Sequence, residues 1–263
     1  MRHIISTGQF DRNFLDNLFD DADLMESSLR SNAPLSSARG RIMATLFYEP
    51  STRTRLSFES AMLRLGGKVI STENAAQFSS AAKGETLEDT IKIVGGYADV
   101  IVLRHHERGA AGRAASVSPV TVINAGDGTG EHPTQALLDL YTIKKEKGRV
   151  DGLGVALAGD LLNGRTVHSL IRLLSIYKNP MVFLVSPEKL RLPEEYKRCM
   201  TEAGMRFEEF DDIGESLPRA DVIYMTRVQK ERFGSLEEYE ELKNLYVLDA
   251  ESMRAPPENY HLS

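Results

Sequence analysis

Residues 42–67 read IMATLFYEPSTRTRLSFESAMLRLGG, and their reading decides the fold. Ile42 to Phe47 are apolar and partly β-branched, the pattern of a short buried strand. From Leu56 onward, Phe58, Ala61, Met62, Leu63 and Leu65 recur at helical spacing, and Gly66-Gly67 stop the run. Pro50 discourages an earlier helix start. Ser51-Thr52-Arg53-Thr54-Arg55 therefore fall at an N-cap and first turn, where unpaired N–H groups and the helix dipole favour an anion. Two arginines there have the wrong sign for the dipole, and a bound dianion would offset that misfit. Taken alone, the segment reads equally well as an ordinary capped helix with solvated arginines.

The same strand–turn–helix unit recurs on either side. Phe10, Phe14, Leu18, Ala22 and Met25 share one face, so residues near 10–30 are expected to form an amphipathic helix. Residues 73–84 carry little periodicity and read as an exposed loop. Thr86, Leu87, Thr90, Ile91 and Val94 resume a helical stripe. Strands follow at Val100–Leu103, ending at Arg104, and at Val120–Ile123, ending at Asn124-Ala125-Gly126-Asp127-Gly128. A helix over 133–147 ends in Lys144, Lys145 and Lys147, then Gly148, and the domain boundary is placed there, giving domains 1–148 and 149–263. A second round has strands at 153–158, 181–185, 221–224 and 246–248, with helices at 164–177, 194–203 and 236–244. Continuous apolar strands alternating with helices imply parallel sheets covered on both faces. The expected fold class is α/β, with two doubly wound parallel-sheet domains. Ligands of such sheets bind at strand carboxyl ends, where Ser51 to Arg55, Arg104, Gly126 to His132, Gly159-Asp160 and Thr226-Arg227 fall.

Composition narrows the function classes. The chain has 263 residues, is 41% hydrophobic and 27% charged, and carries net charge −6. That balance argues against a general nucleic-acid or acidic-membrane surface, while leaving room for a local basic pocket. A single cysteine, Cys199, excludes an internal disulfide framework, and no zinc-site spacing is present. No apolar run reaches membrane-span length, and no signal-peptide pattern opens the chain. A cytoplasmic enzyme is expected, with an organelle stroma as the alternative.

Other segments carry candidate chemistry, each with a plainer reading beside it. His105-His106 are adjacent on an extended chain and point opposite ways, so packing or surface roles are favoured over a metal pair. Arg104, at the strand terminus, is the better anion or carbonyl contact. The turn Gly126 to Gln135 leads into a helix with Pro133 at its first position. His132 and Gln135 are three apart and can face one substrate, or can be a solvated residue and a helix-surface residue. Gly152 and Gly154 precede their strand, so the dinucleotide fingerprint fails. Asp160 and Arg165 suit a polar substrate better, and His168 reads as a packing residue. Arg227, Lys230 and Arg232 lie beside a strand end, either as a solvated loop or as a carboxylate grip of the kind a guanidinium fork provides.

Taken together and in this order, Ser51-Thr52-Arg53-Thr54-Arg55, Ser79 to Glu85 (SSAAKGE), His132-Pro133-Thr134-Gln135, Gly164 to Ser169 (GRTVHS) and Met225-Thr226-Arg227-Val228-Gln229 resemble the aspartate carbamoyltransferase family over nearly the whole chain. The resemblance implies transfer of the carbamoyl group of carbamoyl phosphate to L-aspartate, giving N-carbamoyl-L-aspartate and phosphate, early in pyrimidine biosynthesis. It implies that Ser51, Thr52, Arg53 and Thr54 hold the phosphate. Arg104, His132 and Thr54 would contact the carbonyl oxygen, and Gln135 the carbamoyl nitrogen. Arg165, Arg227 and Gln229 would hold aspartate. Ser79 and Lys83 would reach into a neighbouring subunit's site in a homotrimer. Regulatory chains are carried as candidate partners, and no metal or organic cofactor is implied.

Ornithine-using relatives would carry a Trp-containing stretch with a Ser-Met-Gly turn. This chain has no tryptophan and no such turn, and Thr226-Arg227-Val228-Gln229 suits a second carboxylate instead. A transferase for an ornithine derivative and a non-catalytic partner chain are the competing readings. The family is expected to continue beyond Tyr260-His261-Leu262-Ser263 with a His-Pro-Leu-Pro-Arg loop and a long helix. The expectation from their absence is an exposed apolar junction and weak or absent turnover.

Overall fold

The structure, a computed structural model, describes residues 2–73, 84–227, 246 and 261–262. It divides into two compact units, Met1–Gln135 and Ala136–Ser263. The first carries α1 (Arg12–Arg30), β1 (Ile42–Phe47), α2 (Thr52–Arg64), β2 (Lys68–Glu73), α3 (Leu87–Val94), β3 (Val100–His105), α4 (Ala110–Val117) and β4 (Thr121–Asp127). Helix α5 (Pro133–Lys147) begins at its end and continues into the second unit. There follow β5 (Gly154–Ala158), α6 (Arg165–Leu174), β6 (Met181–Val185), α7 (Glu194–Glu202), β7 (Arg206–Phe210), α8 (Ile213–Ser216), β8 (Val222–Met225) and β9 (His261–Leu262).

Each unit is built on a parallel sheet. The first has strand order β2-β1-β3-β4 and the second β7-β6-β5-β8-β9. In the first, the chain steps outward from β1 to β2 and then crosses back to β3. In the second, it steps outward from β5 through β6 to β7 and then crosses to β8. The neighbours β1/β3 and β5/β8 are thus the points where connections leave in opposite directions. Ligands of such sheets seat beyond the strand ends at these switch points.

The apolar runs are continuous because both faces are covered. Ala44 and Leu46 of β1, with Tyr48 just beyond it, pack with Leu87 and Ile91 of α3 and Ala110 and Ala114 of α4. Met43 and Phe47 point the other way, onto Met62 and Phe58 of α2. The two-residue period of a strand assigns its alternating residues to the two layers. Each fully buried large side chain, such as Phe47 or Ile101, contributes roughly 1.5–3 kcal/mol. In the second sheet, Ala158, Val185 and Ile223 form a cluster with Ile213 and Leu217, while α6 buries Val167, Leu170, Ile171, Leu173 and Leu174.

Five elements depart from the sequence reading, the two-residue β9 among them. Strands β2 (KVISTE) and β7 (RFEEF) were not expected, and both are edge strands in which polar residues outnumber apolar ones, so no continuous apolar run marks them. Helix α4 was not expected because alanines and Gly112 carry little hydrophobic pattern; Ala110, Ala111 and Ala114 are nonetheless fully buried. The short α8 was also missed. Helix α1 starts at Arg12, since the Asp11 carboxylate accepts from the Phe14 N–H at 2.7 Å as its cap. Most of the 73–84 loop, the 236–244 helix and all but Tyr246 of the 246–248 strand lie outside the described residues. No helix among the described residues is long and apolar enough to cross a membrane.

Candidate active site

The first switch point gathers Ser51 to Thr54 and Arg104. Register pairs Phe47 with Arg104, and the Tyr48 N–H donates to the Arg104 carbonyl at 2.9 Å, so Pro50 and Ser51 leave directly beside β3. Ser51 is the α2 N-cap by backbone position, yet its hydroxyl makes no capping bond and donates to the Thr54 hydroxyl at 3.0 Å. No acidic residue occupies the first turn. The dipole of α2 therefore lacks the usual side-chain anion.

The two arginines of that turn divide their roles. Arg53 is exposed. Arg55 turns back onto the sheet, 3.6 Å from the Glu59 carboxylate and 3.2 Å from the Ser71 hydroxyl. Ser71 and Thr45 both donate to Glu59 Oε1, at 2.6 and 2.9 Å. Arg55 thus ties α2 to β1 and β2, leaving Arg53 as the outward cation of the pair.

Arg104 is buried at 8% exposure. Its guanidinium lies 3.1 Å from the Glu49 carboxylate and donates to the Ala125 carbonyl at 3.2 Å. A buried guanidinium without a counter-charge costs several kcal/mol, so Glu49, which the sequence reading did not single out, is part of this site. His105, next along, is packing rather than ligand. Its Nδ1 accepts from the Glu107 N–H at 3.0 Å and its ring contacts Tyr48; the exposed His106 ring stacks on it at 4.3 Å instead of pointing the opposite way as expected. Burial lowers its pKa.

The turn before α5 is held by two carboxylates. Asp127 Oδ1 accepts from the Glu131 N–H and Oδ2 from the Gly109 N–H, each at 2.8 Å. Glu131 accepts from the backbone and hydroxyl of Thr7, at 2.7 and 2.6 Å. Gly128 has φ +57°, and a Cβ there would collide with the His106 carbonyl, so the turn requires glycine. The outcome is a fixed position for His132, 6% exposed, whose Nδ1 lies 3.4 Å from the Thr134 hydroxyl. Its carbonyl accepts from the Gln135 N–H at 3.1 Å, and Pro133 opens the helix as expected.

The second switch point is a close approach of β5 and β8. Gly159 has φ +113°, and a Cβ would collide with the Thr226 carbonyl. Thr226 donates to the Ala158 carbonyl from its N–H at 2.7 Å and from its hydroxyl at 3.1 Å. Arg227 follows, exposed. Arg165 is the first residue of α6. Asp160, a candidate substrate contact on sequence, is fully buried, and its carboxylate is engaged by the Asn163 N–H at 2.9 Å and the Asn163 amide at 3.2 Å. It shapes the loop instead of offering a free carboxylate. His168 packs as expected: Nε2 lies 2.8 Å from the Leu161 carbonyl and the ring stacks on Tyr196 at 4.0 Å.

Comparisons with known proteins fall on both units. A family model described as aspartate/ornithine carbamoyltransferase, carbamoyl-P binding domain, matches residues 2–145, and one described as the Asp/Orn binding domain of the same family matches residues 151–262. The chain belongs to the aspartate/ornithine carbamoyltransferase family. It is 55% identical to the chloroplastic aspartate carbamoyltransferase of Arabidopsis thaliana over 94% of this chain and 63% of that one; it thus spans less than two thirds of that relative's length. The solved catalytic subunit of Methanocaldococcus jannaschii aspartate transcarbamoylase matches with TM-score 0.91 at 48% identity, over 97% of this chain and 83% of that one. Aspartate transcarbamoylase from Trypanosoma cruzi, solved with N-(phosphonacetyl)-L-aspartic acid and with carbamoyl phosphate, matches in both cases with TM-score 0.91 at 41% identity, over 99% and 83%.

Within the family framework, the structure brings Ser51, Thr52, Arg53, Thr54 and Arg104 to one switch point, with His132 and Gln135 opening α5. It brings Arg165 and Arg227 to the other unit's switch point. Ser79, Lys83 and Gln229 lie outside the described residues. Sequence reasoning missed Glu49, although an acidic residue beside a phosphate-type motif is a local signal for it.

Proposed function

We propose that this chain transfers the carbamoyl group of carbamoyl phosphate to the amine of L-aspartate, giving N-carbamoyl-L-aspartate and phosphate in pyrimidine biosynthesis. The supporting observation is that each unit has a cationic switch point, in a member of a family whose solved relatives hold carbamoyl phosphate and a phosphonate–aspartate compound. The domains proposed are 1–148 for carbamoyl phosphate and 149–263 for aspartate.

The neutral amine attacks the carbamoyl carbon, and negative charge grows on the carbonyl oxygen. Arg104, His132 and Thr54 donate to that oxygen, and Gln135 contacts the carbamoyl nitrogen. Donors placed where charge develops act mainly on the transition state. Ser51, Thr52, Arg53 and Thr54 take up the phosphate as the C–O bond breaks, and the phosphate accepts the amine proton. His132 serves as a hydrogen-bond donor in this scheme. Arg165, Arg227 and Gln229 hold the two carboxylates of aspartate. Orientation of two bound substrates can supply about 7–11 kcal/mol of the barrier reduction.

The assembly proposed is a homotrimer in which Ser79 and Lys83 serve a neighbouring subunit. Exposed Leu56 and Leu63 on one face of α2, with exposed Ile70 on β2, support a self-association surface. The compartment proposed is the cytoplasm, with the plastid stroma as the alternative suggested by the plant relative's name. The test is product formation from carbamoyl phosphate with aspartate, ornithine, N-acetylornithine and N-succinylornithine as acceptors, alongside mass measurement in solution. Turnover with aspartate alone is expected. A folded protein active only with an ornithine derivative overturns the substrate assignment, and a monomer overturns the assembly.

A further inference from the structure

In the second unit, three elements meet at one phenol. Tyr224, on β8, donates from its hydroxyl to Asp139 Oδ2 of α5 at 2.9 Å, across 85 residues of sequence. Thr166, second residue of α6, hydrogen-bonds the same phenol. Burial, then the Asp139 carboxylate, raises the phenol's pKa above its ordinary value, so the hydroxyl stays a donor throughout any working pH range.

The neighbours of this relay give it meaning. Thr166 adjoins Arg165, and Tyr224 stands three residues before Arg227. We propose that Tyr224 is a positioning residue for the amine substrate: by tying Thr166 and Asp139 to β8, it fixes the spacing of Arg165 and Arg227 as a two-cation grip for a dicarboxylate. This deepens the reading of the chain as a carbamoyltransferase for aspartate and rests on it. A phenylalanine would fill the same apolar volume, so packing alone does not call for the hydroxyl. What the hydroxyl adds is direction. Arg165 sits on the first turn of a helix and Arg227 beyond the end of a strand, so their separation depends on what joins α6 to β8. Misplacing a binding group by about 1 Å can cost on the order of a hundredfold in rate.

The experiment compares Tyr224→Phe, Asp139→Leu, Asp139→Asn and the double variant Tyr224→Phe/Asp139→Leu with the unchanged protein. Steady-state kinetics in both substrates is combined with calorimetric titration of N-(phosphonacetyl)-L-aspartic acid and of inorganic phosphate. Tyr224→Phe should raise KM for aspartate about tenfold, as expected for a lost hydrogen bond to a charged partner, with KM for carbamoyl phosphate and phosphate affinity unchanged. Asp139→Leu should match it, the double variant should be no worse than either, and Asp139→Asn, which keeps an acceptor, should recover most of the loss. An unchanged KM for aspartate in Tyr224→Phe overturns the proposal, as does a parallel rise in both KM values with a falling melting temperature. If the unchanged protein neither turns over aspartate nor binds the phosphonate–aspartate compound, the functional reading falls and takes the proposal with it. An active unchanged protein with an indifferent Tyr224→Phe removes the proposal alone.

Discussion

The two switch points use opposite means to prepare polar groups for a ligand. In the first unit charge dominates: α2 begins with arginines and no acid, Arg104 is buried against Glu49, and Arg55 is drawn off by Glu59. In the second unit neutral and backbone contacts dominate: Asn163 engages Asp160, His168 meets the Leu161 carbonyl, Thr226 seats on Ala158, and Tyr224 bridges to Asp139. The first arrangement is a place where an anion relieves an imbalance. On the positioning proposed for Tyr224, the second is a scaffold that sets where two exposed or half-buried cations stand. A dianionic phosphate rewards local charge density, whereas a flexible dicarboxylate rewards spacing.

The sharpest way to break this contrast is to remove charge from the first site. Arg104→Ala should lower kcat by about 10²–10³-fold, the usual loss for one donor to a developing oxyanion, and should leave Glu49 without its cation. Steady-state rates at saturating substrates measure it; a loss confined to KM would place Arg104 in ground-state binding. Next in size, Arg53→Ala should raise KM for carbamoyl phosphate by roughly 10–100-fold, the range for a charge-assisted bond, at unchanged melting temperature. Arg55→Ala should do the reverse: a stability loss of about 1–2 kcal/mol with phosphate affinity nearly intact. Equal effects of the two arginines on phosphate affinity would erase the division of roles the structure gives them.

The second site should break through its backbone. Gly159→Ala forces an L-residue to φ +113° and drives its Cβ into the Thr226 carbonyl, at a cost of about 2 kcal/mol. Gly204→Ala, at φ +70° in open space, should cost only about 1 kcal/mol. Urea unfolding separates them. If both cost the same, the β5–β8 approach is looser than its geometry indicates.

The same contrast explains what was legible in the sequence. Ser51 to Arg55 could be read because strand, proline, hydroxyls and arginines are consecutive, and local spacing alone places them on a first turn. The central strands β1, β3, β5 and β6 could be read because burial on both faces leaves continuous apolar runs. The edge strands β2 and β7 have one partner each and are mostly polar, so the same rule passed over them. Switch-point pairing itself was beyond reach: that β1 lies beside β3, and β5 beside β8, is a matter of strand order. The Tyr224–Asp139 contact depends on that order, since nothing in the phenol's own neighbourhood points 85 residues back. Asp160 shows the converse error. Its position suggested a substrate contact, but full burial beside an asparagine three residues on makes it a loop brace.

The smallest expected effect concerns the neutrality of the second scaffold. Burial lowers the pKa of His168 below its ordinary 6.5, with Arg172 adding to the effect and the Leu161 carbonyl, Glu195 and Asp160 opposing it. The unfolded chain takes up a proton below about pH 6.5 that the folded chain refuses until lower pH. Stability should therefore fall as pH drops through 6.5 and level off once the folded histidine also protonates. The loss is at most about 1.4 kcal/mol for every tenfold by which folding weakens the ring's proton affinity. His105, lowered chiefly by burial in the first unit, contributes the same sign. His168→Gln keeps an amide that can donate to the Leu161 carbonyl but cannot titrate. Urea unfolding at pH 7.5 and 5.5 should show a smaller pH difference in that variant than in the unchanged protein, whatever its absolute stability. An undiminished pH difference would mean that His168 already carries its proton in the fold. The Leu161 carbonyl would then be gripped by a cation, and the second site would share the charge-based logic of the first.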